Sequence, residues 1–101
     1  MGKRVDLQKI FEEILGSRNV YFQPPSSIHM AYPAIVYDRS KIEVKRADNQ
    51  VYGQYNLYQV TVIDPDPDSE IPGRIAKLPM CSFERHYTSD NLNHDTFNIY
   101  F

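Results

Sequence analysis

Two β-prone stretches dominate the chain: AIVYDRSKIEVKR at positions 34–46 and QYNLYQVTVID at positions 54–64, separated by ADNQVYG. In the second stretch Tyr58, Val60 and Val62 fall on one side of a period-two pattern, and Tyr55, Leu57 and Ile63 on the other. In the first, Ile42 and Val44 alternate with Lys41, Glu43 and Lys45, which gives that half one wet face. Ile35, Val36 and Tyr37 are apolar at both parities, so that half is either covered on both faces or shifted by a bulge. Asp48, Asn49 and Gly53 supply turn chemistry between the two. The pair predicts a β-hairpin with a connection longer than a two-residue turn, so that its tip projects.

A hairpin with one apolar face needs a second layer, and the rest of the sequence provides it. Leu7, Ile10, Phe11, Ile14 and Leu15 form one apolar stripe at helical spacing, which predicts a helix over residues 4–15 ended by Gly16. Val20, Tyr21 and Phe22 favour a strand, but Pro24 and Pro25 confine it to a short edge piece. Ile71, Ile75 and Leu78 mark a short second helix with Gly73 inside it and Pro79 as its stop. CSFERHYTS and HDTFNIYF then read as a second hairpin around a DNLN turn. In strict alternation Cys81, Phe83, Arg85 and Tyr87 share one side of the first strand, with Ser82, Glu84, His86 and Thr88 on the other, while Phe97, Ile99 and Phe101 share a face of the last. The expected fold is a single α+β domain over residues 1–101: a two-layer arrangement with a mainly antiparallel or mixed sheet of four to five strands, and both helices packed on it.

VTVIDPDPDSEIPGRIAKL, positions 60–78, raises the question of metal, because Asp64, Asp66 and Asp68 carry the spacing with which several calcium loops begin. An EF-hand-type loop requires Gly at its sixth position and Glu at its twelfth, and these positions are Ser69 and Ile75. Pro65 and Pro67 push the preceding aspartates toward extended backbone, so the segment is expected to run straight rather than curl around an ion. A strand-to-helix corner explains it better. Asp68 or Ser69 is placed to cap the second helix, Pro72 suits its first turn, and the aspartates remain available to a neighbour's arginine.

Little else carries chemistry. His29, His86 and His94 are scattered, and Cys81, the single cysteine, excludes an internal disulfide or a cysteine-rich zinc site. Ser82, Glu84 and His86 on one strand would lie side by side rather than converge as a triad. The four glycines form no phosphate loop, so neither an enzyme nor a cofactor is expected. A formal net charge of −2 leaves no footprint for nucleic acid, and no apolar run approaches a membrane span. The opening MGKRVDLQKIFEEILG is broken by Asp6, Glu12 and Glu13, unlike a signal peptide, so a cytosolic setting is expected. What stands out is eight tyrosines and no tryptophan, a composition suited to half-buried strands and wet interfaces. Tyr52, Tyr55 and Tyr58 fall on or beside the projecting hairpin.

From position 19 to position 101 the chain resembles the small tail-completion, or tail-terminator, proteins of long-tailed bacteriophages and prophages of Gram-positive hosts, often described as minor tail or head–tail joining proteins. The resemblance rests on NVYFQPPSSIHMAYPAIVY, on the core Y-x-V-T-V-I-D-x-D-P-D-S-x-I-P, and on the ending F-x-R-H-Y-T-x-D-N-L-N-H. It implies a non-catalytic virion protein without a cofactor, at the head-proximal end of the tail after assembly in the host cytoplasm. Such proteins form rings, usually hexamers, that stop polymerisation of the major tail protein and offer a face to the head connector. The expected partners are other copies of the chain, the major tail protein and the connector, with no specific nucleic acid and no membrane. Ring formation needs two different self-surfaces, and Tyr52, Tyr55, Asp64, Asp66, Asp68, Arg85 and His86 are the expected contacts. A head-completion or connector-stopper protein at the same joint is one alternative reading, and a small cytosolic adaptor another.

Overall fold

The computed structural model describes residues 4–47 and 50–101, and within 43–55 the backbone alone. The chain runs α1 (Arg4–Leu15), β1 (Val20–Phe22), β2 (Ala34–Ala47), β3 (Gln50–Asp64), α2 (Ile71–Ala76), β4 (Cys81–Ser89) and β5 (Leu92–Tyr100). The five strands form one sheet in the order β1-β2-β3-β5-β4. β1 is parallel to β2 and every other pairing is antiparallel, so the sheet is mixed. This is the expected α+β architecture.

The register explains the layering. Val20 lies opposite Ile35, Ile35 opposite Val62, Tyr37 opposite Val60, Val60 opposite Phe97, and Tyr58 opposite Ile99. Paired residues share a face, so these side chains line a single apolar surface, and Leu7, Phe11 and Ile75 of the two helices close over it. Tyr37 sits at the centre. Its ring meets Phe11 edge-on at 5.2 Å and lies 4.9 Å from Phe22 and 5.9 Å from Tyr58. Its hydroxyl donates to Gln8 Oε1 and accepts from the Arg4 guanidinium, which also lies 4.5 Å above the Phe22 ring. Gln8 in turn donates to the Val20 carbonyl. One buried phenol thus ties α1 to β1 and β2, and burial raises its pKa above the usual tyrosine value.

Gly16 ends α1 with φ +77°, and its N–H donates to the Glu12 carbonyl. A side chain at that φ is strained, which is why glycine suits the position. On the far side of the sheet Ala34 and Ile63 are also buried. The segment after β1 returns over this face, where the Tyr21 hydroxyl accepts from the Ala31 N–H. The apolar first half of β2, which keeps an unbroken register from Ala34 to Arg39, is therefore covered on both faces, and the bulge lies beyond it, between Arg39 and Lys41. Of the two alternatives for this apolar run, cover on both faces is the one present, and no bulge interrupts it.

Four local expectations need correction. The β2–β3 ladder continues to Ala47 opposite Gln50, so only Asp48 and Asn49, which lie outside the described residues, separate the strands, and Gly53 belongs to β3. Strand pairing outweighed the turn signal of one glycine. The N-cap of α2 is Glu70, with no side-chain cap. Ser69 Oγ accepts from the Ile71 N–H instead, and Asp68 takes no part in the cap. The aspartate corner is not straight. Asp64 Oδ1 accepts from Asp66 N–H at 2.8 Å, Asp66 Oδ1 accepts from Asp68 N–H at 2.9 Å, and Ser69 N–H closes a turn onto the Asp66 carbonyl. Finally, β4 does not alternate throughout, because a bulge shifts its register between Phe83 and Arg85. Phe83 lies opposite Phe97 on the helix-covered side, whereas Arg85 and Tyr87 lie opposite Thr96 and His94 on the other side. His86 joins Asp95 on the helix side, not Ser82 and Glu84.

Candidate interaction surface

The described residues form no cluster of three or more metal-ligating side chains. A shallow depression of about 310 Å³ is lined by Lys9, Glu12, Glu13, Gly16, Ser17 and Arg18, a mixed-charge patch with no convergent acid and base. No helix among the described residues is long and apolar enough to cross a membrane. The prominent features are instead a projecting ribbon, an open sheet edge and a corner.

β1 spans only opposite Ile35 to Tyr37, so among the described residues β2 has no neighbouring strand on that side from Asp38 to Ala47. β5 leaves β3 at Leu57, and only Phe101 continues the pairing, exchanging two backbone hydrogen bonds with Asn56. Beyond this point β2 and β3 continue as a two-stranded ribbon that no other strand among the described residues flanks. Six residues, Ile42 to Ala47, carry it outward by about 20 Å. The molecule measures 51 × 26 × 23 Å with a radius of gyration of 14.6 Å, against about 13 Å for a compact chain of this size. A two-stranded hairpin is at best marginally stable in water alone. This one is anchored at its base, where Ile42 is 48% accessible.

β4 is the edge at the opposite end of the sheet. From Ser82 onward every residue of the strand is exposed. Met80, just before it, is 61% accessible, and Phe83 is 56% accessible even though its ring meets Phe97 edge-on at 5.5 Å. On the other face Tyr87 stacks on His94 with ring centres 4.7 Å apart and planes 11° apart, and the Arg85 guanidinium lies 4.8 Å from the Tyr87 ring centre. Thr96 holds the bulge: its hydroxyl accepts from Arg85 N–H and donates to the Arg85 carbonyl, each at 3.2 Å. His86 Nδ1 lies 2.8 Å from Asp95 Oδ1.

The residues expected as contacts separate into three groups. The side chains of Tyr52 and Tyr55 lie outside the described residues, although both positions belong to β3. Arg85 and His86 are exposed on β4 and, as strand neighbours, point to opposite faces; the bulge only exchanges which face each takes. Asp66 and Asp68 are exposed at the corner, while Asp64, expected to be exposed, is only 7% accessible. Its carboxylate is engaged with the Asp66 N–H, and its carbonyl accepts from Asn93 Nδ2. Asp64 is therefore a strut of the corner. Met80, Phe83, Tyr87 and His94 were not singled out from the sequence. The sequence places Phe83 only on one side of its strand, and the structure adds that this strand is an outer one, where Phe83 is exposed. No protein family, no curated protein and no solved structure matches this chain.

Proposed function

We propose that this chain is a structural protein of the phage virion, a tail-completion protein that assembles as a ring, by expectation a hexamer, on the end of the tail tube and joins the tube to the head connector. The two motifs spanning Tyr58 to Pro72 and Phe83 to His94 suggest this family. The structural observation that carries the reading is the projecting ribbon of β2 and β3. A two-stranded ribbon that extends beyond the five-stranded sheet has its use in contact with another molecule, and the open β4 edge offers a second, different surface on the far side of the sheet. The groups between them are packing and turn elements. The test is light scattering of the purified chain, alone and mixed with tail tubes. A ring in solution, or a monomer that becomes a ring on tube ends, supports the reading. A chain indifferent to tubes overturns it and favours the connector side of the joint or a cytosolic adaptor.

A further inference from the structure

We infer that the ribbon edge of one copy, along β2 from Lys41 to Lys45, pairs with the β4 edge of a second copy, from Arg85 to Ser89, so that the sheet continues from molecule to molecule. This deepens the assembly reading above and rests on it for the choice of partner.

The two edges are complementary in backbone terms. In the order β1-β2-β3-β5-β4, the free edge of β2 and the outer edge of β4 look in opposite directions, as a head-to-tail contact requires. β2 and β4 also run antiparallel to each other, because three antiparallel pairings separate them. Each edge is interrupted by a bulge that leaves a regular run of five residues. β2 has breaks between Arg39 and Lys41 and between Lys45 and Arg46, and β4 has its break before Arg85 and ends at Ser89. Five residues is a typical strand length, and bulges on either side discourage unselective strand addition.

The outward hydrogen-bonding groups can be assigned. Asn56 directs its N–H and carbonyl to Phe101, away from β2, so its partner Ile42 directs its own groups outward, and Val44 follows two residues on. On β4, Asp90 and Asn91 have φ of +54° and +62° and form a two-residue turn closed by the Ser89–Leu92 pair. Ser89 and Tyr87 therefore bond to β5, and Thr88 and His86 face outward. Arg85 fits this parity, since its N–H is directed inward to Thr96. Each edge thus presents two outward residues in a matched five-residue run.

The test uses proline at outward positions, where it removes a donor without touching the internal ladder. Thr88→Pro and Ile42→Pro are compared with Thr88→Val and Ile42→Val by sedimentation over concentrations reaching the millimolar range. The expected result is self-association of the native chain and of both valine variants, and association weaker by at least about tenfold in each proline variant. Mixing the two proline variants should give dimers and nothing larger, because together they retain one intact edge of each kind. A native chain that stays monomeric throughout, a proline variant that assembles normally, or a mixture that does not pair overturns the inference. If a proline variant loses its cooperative melt, hydrogen exchange on the native chain decides. The Ile42 and Thr88 amides should become protected as concentration rises, and unchanged exchange overturns the pairing. Tube binding is scored separately, so failure of the tail reading and failure of this contact give different results.

Discussion

Thr96→Val tests whether one hydroxyl sets the shape of the β4 edge. Valine keeps the size and branching of threonine and removes only the oxygen. Thr96 is 3% accessible, and its hydroxyl both accepts from and donates to the Arg85 backbone, at 3.2 Å in each case. A typical intramolecular hydrogen bond contributes about 1 kcal/mol net. Arg85 is exposed on an edge strand, so water can replace part of what is lost. The expected cost is therefore about 1–2 kcal/mol, a fall of about 5–12 °C in melting temperature for a domain of this size. Thr96→Ser is the informative comparison, because it keeps the hydroxyl and loses a buried methyl worth about 0.8 kcal/mol. Thermal melts should rank native above serine and serine above valine, with faster exchange of the Arg85 amide in the valine variant. If valine melts with the native chain while serine falls, the hydroxyl does not hold the bulge and packing of the methyl group matters instead.

Ile75 is fully buried and is the one buried residue of α2. Ile75→Ala should cost about 2–4 kcal/mol in urea unfolding, and a loss below about 1 kcal/mol would show that α2 does not anchor the core. Tyr37 has its pKa raised by burial, against the opposing pull of Arg4. The unfolded chain thus loses this proton first, so the associated stability is complete below pH 10.0 and is lost as pH rises through the folded value. Denaturation midpoints should fall above that pH, and the fall should flatten in Tyr37→Phe; an identical fall in both would rule Tyr37 out as its source. Asp64→Ala should cost about 0.5–2 kcal/mol by freeing the Asp66 N–H, whereas Asp64→Asn, which keeps an acceptor oxygen, should cost less. Equal melting of the two variants would mean that the turn bond adds nothing.

The layers were legible in the sequence because both periodicities are strong. The stripe from Leu7 to Leu15 and the alternation of Tyr58, Val60 and Val62 each report burial on one side. The short edge strand followed from Pro24 and Pro25 and stands as β1. What the pattern could not carry was register. CSFERHYTS alternates without a break, yet its partner strand contains Thr96, whose hydroxyl bonds the Arg85 backbone within the bulge. The information lies in a residue distant along the chain, and it turns Arg85 and Tyr87 over. Strand order was hidden for a related reason. Nothing local distinguishes an outer strand from an inner one, so the exposure of Phe83 could not be read from its apolar neighbours. The aspartates mislead in the opposite way. Their side chains bond nearby backbone N–H groups and curl a segment that its prolines alone would leave extended.

β3 belongs to two regimes at once. From Leu57 to Asp64 it is a central strand with β2 on one side and β5 on the other, and from Gln50 to Tyr55 it pairs with β2 alone. Its inner half opens only with the whole domain, while its outer half can unzip locally. Melting temperature is consequently a poor reporter of the outer half, and changes there can leave the folded body intact. Fold and contact can therefore vary independently along a single strand. The same body can be refitted to a different neighbour by substitutions at one end, with the core from Tyr37 to Phe97 left unchanged.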